Sequence, residues 1–176
     1  MGEVIVGIEF GSGGTPLRKG YKTVDIRKVE GVDYVCNAWD ITKQVEEDSV
    51  DHIFSRHFFE HLTFVQAEYT LEAWKKIIKP NGFIEMLLPN MTWHIEQWVT
   101  RSNLERAKEG FWGKQREGAT ETWDLHKSGY DKESLEALLV EEGFVDIEFR
   151  RALDKNLHVC FKKKDLQWVD YPNYNS

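Results

Sequence analysis

Four short runs rich in Val, Ile and aromatic residues crowd the start of the chain, at 4–10, 22–26, 34–38 and 50–54, each bounded by Gly, Asp or Asn. Only residues 15–22 separate the glycine-rich end of the first run from the second, and only 27–33 separate the second from the third. Full crossover helices do not fit in such gaps. The pattern predicts a buried, mostly parallel sheet whose first helices are abbreviated to single turns.

The second half supplies the covering helices and closes the sheet. Thr63 can cap a helix whose third residue, Gln66, reaches back in a capping box, and Ala67, Leu71, Trp74 and Ile78 recur at helical spacing to make one apolar face. Pro80-Asn81-Gly82 ends that helix in a turn, and 83–88 is the next strand. Asp131 caps a further helix carrying Leu135, Leu138 and Leu139, which stops at Gly143. The runs 145–150 and 157–162 are joined by so short a link that they must pair antiparallel, so the sheet ends in a hairpin. Between these parts, residues 91–126 carry Trp93, Trp98, Trp112 and Trp123 among charges and read as an inserted substrate lid.

At 176 residues the chain fits one domain with a sizeable core. A net charge of -7 opposes binding to long nucleic acids, whose affinity comes from clustered cations. The longest apolar stretch, 83–88, is far shorter than the ~20 residues that span a bilayer, so no membrane partner is expected. The chain opens on a strand rather than an apolar leader, which makes the cytoplasm the expected location. Cys36 and Cys160 lie in apolar runs and read as reduced core thiols.

The chemistry gathers where the strands end. The first run closes in Glu9-Phe10-Gly11-Ser12-Gly13-Gly14, where glycines let the backbone turn sharply beside a ligand and the acid suits a cationic group. The second ends at Asp25, followed by Ile26, and a carboxylate there can accept from both ribose hydroxyls. After the third comes Trp39-Asp40-Ile41, a carboxylate for an exocyclic amine flanked by apolar cover for a base. Three acids in register at one edge of a parallel sheet describe a nucleoside site.

In these pieces the chain resembles the class I S-adenosylmethionine-dependent methyltransferases, particularly the small ones of methyltransferase type 11. The likeness extends through 48–55, Phe59-Glu60-His61-Leu62, the stretch 78–83 and Gly143-Phe144, nearly the whole chain. It implies a Rossmann-like methyltransferase fold with a seven-stranded sheet and S-adenosylmethionine as cofactor. It further implies Gly11 and Gly13 on the methionine moiety, Asp25 on the ribose, Asp40 on the adenine, and Ser55 and Arg56 beside the transferred methyl. The sulfonium and ammonium of such a cofactor match the negative charge of Glu9.

Rival patterns are weaker. His57-Phe58-Phe59-Glu60-His61 matches the His-x-x-Glu-His order of inverted zinc proteases, but a third ligand and a much larger protein are wanted, so a zinc hydrolase is the minor alternative and no metal is expected. A nicotinamide site wants a third glycine where Pro16 stands. A non-catalytic S-adenosylmethionine-binding protein on the same fold is the other alternative. If the acceptor, a small molecule or a glycan, offers a hydroxyl or amine, His57, His61 and His126 are the bases able to take its proton, with His57 and His126 preferred.

Overall fold

The computed structural model describes residues 7–115 and 122–164. Residues 4–6 of the first expected strand and the aromatic tail from Trp168 onward lie outside the described residues. Seven strands form one sheet in the order β3-β2-β1-β4-β5-β7-β6. They are β1 (Gly7–Phe10), β2 (Lys22–Asp25), β3 (Tyr34–Val35), β4 (Val50–Arg56), β5 (Ile78–Pro89), β6 (Phe144–Arg151) and β7 (Asn156–Lys163). The first five run parallel, and β7 pairs antiparallel with both β5 and β6. The mixed sheet with its terminal hairpin is the expected Rossmann-like methyltransferase arrangement.

Helix α1 (Phe64–Ile77) starts where its capping box requires, with Thr63 Oγ accepting from Gln66 N at 3.2 Å and Gln66 Oε1 accepting from Thr63 N at 2.9 Å. Its stripe of Ala67, Leu71 and Trp74 is fully buried against Ile8, Phe10, Ile53 and Ile84 of the sheet. Helix α4 (Lys132–Glu141) is capped by Asp131, which accepts from Ser134 N at 2.9 Å, and delivers Leu135 and Leu139 to the same core. Two further helices, α2 (Met91–Thr100) and α3 (Leu104–Trp112), form a hairpin beyond β5, so the stretch with only partial periodicity is helical over most of its described length. The small residues Ala107 and Gly110 let α3 approach α2 closely, and a Cβ on Gly110 would fall 2.3 Å from the His94 ring.

Two strand expectations need correction. β3 is two residues rather than 34–38, because the chain leaves this sheet edge at Cys36 and turns into a short 3-10 helix, Ala38–Lys43. Along β5 the pairing jumps from Val50↔Ile78 to His52↔Phe83, so the Pro80-Asn81-Gly82 turn bulges out of a strand that begins at Ile78.

Residues 11–21 and 26–33 contain turns and no helix, so the first two crossovers are shorter even than single helical turns. The sheet shows why. The face toward α1 presents Ile8, Phe10, Ile53, Ile84, Met86 and Val159, whereas the opposite face presents Glu9, His52, Phe54, Glu85, His158 and Cys160. An apolar helix has little to bury against on that second face. The 11–21 loop covers it instead, tethered by Glu9 Oε2, which accepts from Leu17 N at 2.9 Å and Arg18 N at 3.3 Å. The Arg18 guanidinium pairs with Glu85 and lies 4.3 Å from the centre of the Phe54 ring.

His52, 2% exposed, stands at the centre of this polar layer, 2.6 Å from Tyr21 Oη and stacked on Phe83. Burial, seconded by the positive charge of Arg18, pushes its pKa down to about 4 despite the opposing Glu85. The folded state therefore resists a proton that the unfolded chain accepts near pH 6.5. Stability should fall as pH drops from 6.5 toward 4, by up to ~3 kcal/mol at this residue alone. Urea unfolding across that window should show this slope in the wild type and a flatter one in His52→Gln.

Candidate functional site

Two adjoining cavities open at the carboxyl ends of the parallel strands. The first, about 320 Å³, is lined by Phe10 and Gly11 after β1, Val24 to Arg27 after β2, Cys36 to Trp39 after β3, and His57 and Phe58 after β4. His61, Leu62, Gln66, Trp123, Asp124 and Lys127 complete it. The second, about 480 Å³, lies under the α2–α3 hairpin. Arg56, His57, Glu60, His61 and Pro89 form its floor, and His94, Arg106, Glu109, Gly110, Lys114, Asp124, His126, Lys155 and Asn156 its remaining walls. His57, His61 and Asp124 belong to both and make the partition between them.

The glycine loop is shaped by backbone conformation. Gly11 has φ +77°, and a Cβ there would fall 2.7 Å from the Phe58 ring, so only glycine allows the loop to pass between that ring and the cavity. Asp25, 6% exposed, accepts from Gly13 N at 3.1 Å, from Arg27 N at 2.9 Å, and from Arg27 Nε and Nη2, each at 2.9 Å. Burial works to raise its pKa, but the guanidinium and the two N–H groups prevail and hold the carboxyl below its ordinary range. Asp25 thus braces the loop as well as facing the cavity. The Arg27 side chain is half exposed.

Of the residues expected at the site, Gly11, Asp25, Ile26, Trp39 and His57 line the first cavity, and Arg56, His57 and His126 line the second. Others point elsewhere. Glu9 is buried on the helix-free face, holding the 11–21 loop. Asp40 sits in the 3-10 helix and is paired with Lys43 at 2.6 Å and Asn37 at 2.9 Å, while Ile41 is buried in the core. Ser12 and Ser55 each keep a buried hydroxyl oxygen without a hydrogen-bond partner among the described residues. Cys160 is buried as expected, whereas Cys36 is half-buried and edges the cavity; burial pushes both thiols up.

His57-Phe58-Phe59-Glu60-His61 does not form the helical turn that an inverted zinc-protease pattern needs. His57 has φ +48°, and only Phe59–His61 are helical, in a 3-10 turn. A left-handed non-glycine residue at the end of β4 is a strained conformation of the kind that collects at functional sites. His57 Nδ1 lies 3.2 Å from Glu60 Oε1.

Sequence reasoning missed several wall residues. Arg27, Asp124 and Lys127 carry no motif of their own, Gln66 was read only as a helix cap, and Phe58 and Glu60 fell within quoted motifs without being given a place in the site. The segment holding Asp124 and His126 reaches the site through backbone bonds, Lys127 N and Ser128 N donating to Glu60 O at 2.8 and 3.2 Å. The His61 imidazole adds a bond through Nδ1 to Leu125 O at 3.1 Å. His126 Nδ1 lies 2.8 Å from Gly110 O, and burial holds the imidazole below its ordinary pKa.

By sequence, no protein-family model and no curated protein matches this chain. Solved structures do. A methyltransferase from Methanosarcina mazei superposes over 93% of this chain and 94% of its own, with a TM-score of 0.63 at 15% identity. One from Archaeoglobus fulgidus covers 90% of this chain and 86% of its own, with a TM-score of 0.61 at 16% identity. Both are described as S-adenosylmethionine-dependent. The chain has the class I methyltransferase fold. Burkholderia thailandensis 1,6-didemethyltoxoflavin-N1-methyltransferase, solved with its acceptor and S-adenosylhomocysteine bound, shares the fold over 91% of this chain and 71% of its own, at 15% identity and a TM-score of 0.58.

On this methyltransferase fold the Asp25 network makes a direct prediction. Asp25→Ala should cost about 2 kcal/mol of stability with no ligand present, because Gly13 N and the Arg27 guanidinium lose a buried charged acceptor. Asp40→Ala, which removes an exposed pair with Lys43, should leave the urea midpoint unchanged.

Proposed function

We propose that this chain is an S-adenosylmethionine-dependent methyltransferase, with the first cavity as the cofactor chamber and the second as the acceptor chamber. The observation that carries this reading is the pair of cavities meeting at a partition of His57, His61 and Asp124. A methyl donor and its acceptor need that arrangement, two chambers with one shared window.

The residues fit the cofactor. The chamber volume falls in the ordinary range of small-ligand sites, roughly 300–1,000 Å³. Trp39 and Ile26 offer apolar cover for an adenine, and Asp25 accepts ribose hydroxyls once Arg27 swings out. The Gly11 turn leaves backbone rather than side chain at the cavity edge, and the unpartnered Ser12 hydroxyl lies in the same loop. When bound, S-adenosylmethionine supplies an electrophilic methyl carbon for in-line displacement. The protein's part is to align the acceptor with that carbon and exclude water.

The α2–α3 hairpin and the segment through His126 act as the lid over the acceptor, deepening the role assigned to residues 91–126. Four cations, Arg56, Arg106, Lys114 and Lys155, face three carboxylates, Glu60, Glu109 and Asp124, around the second chamber. On a chain of net charge -7 this local excess suits a small molecule or glycan that carries an acidic group. His57 and His126 are the general bases within reach, and burial of the His126 imidazole lowers its pKa and so favours its uncharged form.

Calorimetric titration with S-adenosylmethionine and S-adenosylhomocysteine should give micromolar binding, weakened about tenfold in Trp39→Ala by the loss of aromatic cover. With an acceptor found by screening acidic metabolites and sugars for methyl transfer, His126→Gln should lower kcat roughly 100-fold and leave cofactor affinity unchanged. Absence of cofactor binding overturns the reading. Binding without transfer to any acceptor favours a non-catalytic binding protein.

A further inference from the structure

We propose that Glu60, His61 and His126 form a binding site for a first-row divalent metal ion, with Zn²⁺ as its simplest occupant, in the wall of the second cavity. This departs from the sequence reading, which expected no metal and considered zinc only for His57, Glu60 and His61. The geometry selects a different third ligand. One donor atom from each of Glu60, His61 and His126 lies within 4.8 Å of the other two.

Three observations point to an ion there. Glu60 is 1% exposed, and its Oε2 has no hydrogen-bond partner among the described residues, although the side chain faces the cavity. A buried carboxylate oxygen without a donor is costly, and a cation removes that cost. Second, both imidazoles are oriented by backbone carbonyls, His61 Nδ1 by Leu125 O at 3.1 Å and His126 Nδ1 by Gly110 O at 2.8 Å. A carbonyl only accepts, so Nδ1 carries the proton and Nε2 of each neutral ring is left with its lone pair. That is how metal-ligating histidines are fixed in tautomer and orientation.

Third, His126 Nε2 stands 4.0 Å from Glu60 Oε1, two electron-rich atoms with a gap between them. Tetrahedral bonds of about 2.1 Å would hold two such ligand atoms about 3.4 Å apart, so the three side chains, already within 4.8 Å of one another, must draw inward to ligate an ion. Two imidazoles and one carboxylate are a donor set for a divalent ion with positions left open. All three ligand residues line the second chamber, with His57 beside Glu60, so the open positions would be reached from it. An acceptor hydroxyl, thiol or carboxylate could occupy it, and a bound hydroxyl or thiol would lose its proton more readily there. With the ion bound, His126 Nε2 is a ligand rather than a base, which leaves His57 to take the acceptor's proton; that role rests on the methyltransferase reading, and the metal binding itself does not.

The described residues hold one other trio of suitable groups, Glu85, His158 and Cys160. There the carboxylate is already engaged, with Arg18 on Oε2 and with His158 Nε2 on Oε1 at 2.7 Å. It serves as the internal control. The test is calorimetric titration of the chelator-treated full chain with ZnCl₂, followed by the visible absorption of the Co²⁺-substituted protein. One ion per chain is expected, bound at least tenfold more weakly in His61→Gln, His126→Gln and the isosteric Glu60→Gln, and unchanged in Cys160→Ser.

Circular dichroism of each variant separates lost ligation from lost folding, and Glu60→Gln keeps the shape of the site should a histidine variant unfold. Failure of the wild type to bind Zn²⁺ and Co²⁺ overturns the proposal, as does binding lost in Cys160→Ser but retained in the three ligand variants. A parallel titration with S-adenosylmethionine separates the two claims. Metal binding without cofactor binding sinks the methyltransferase reading alone, and the reverse sinks the metal site alone.

Discussion

The partition between the two cavities depends on three hydrogen bonds that tie the chain leaving β4 to the chain returning from α3. Lys127 N and Ser128 N donate to Glu60 O, and the His61 imidazole bonds to Leu125 O. They join the His126 bond to Gly110 O and the Asn90↔Tyr130 bridge in fixing the segment carrying Asp124 and His126 against the strand ends. Buried backbone groups must find partners, and here the pairing of one 3-10 turn with one returning loop also sets the chemistry of the wall. The strained conformation of His57 belongs to the same construction. It turns the chain at the end of β4, so that Glu60 and His61 face inward.

The economy of the sheet follows from which face carries which residues. Aliphatic side chains on one face accept α1 and α4, while Glu9, His52, Glu85 and His158 on the other tie themselves to a loop through Arg18 and Tyr21. The chain can thereby keep the strand-end cavities of this fold while dispensing with two crossover helices. The cost is a layer of buried titratable groups whose balance depends on pH, with His52 the most displaced.

Much of this was legible in the sequence because it is local. The capping box at Thr63, the N-cap at Asp131, the apolar stripe through Ala67, Leu71 and Trp74, and the hairpin of β6 and β7 are each dictated by residues near one another in the chain. Asp25 and Gly11 were found at the cavity for the same reason, since a strand end followed by a glycine turn is a short-range signal. Glu9 and Asp40 carried equally clear local signals, yet their partners are Leu17, Arg18, Asn37 and Lys43, and pattern cannot say which way a strand-end carboxylate turns. The convergence of His126 on Glu60 and His61 spans some sixty residues of intervening chain and has no periodicity to announce it.

A crystal structure of the chain with S-adenosylhomocysteine tests most directly whether the first cavity is the cofactor chamber. The nucleoside should lie against Trp39 and Ile26 with its ribose hydroxyls on Asp25, the Arg27 guanidinium displaced from that carboxylate, and the sulfur directed toward the His57 partition. A ligand lodged under the α2–α3 hairpin, or a first cavity left empty at saturating ligand with Arg27 still on Asp25, would contradict it.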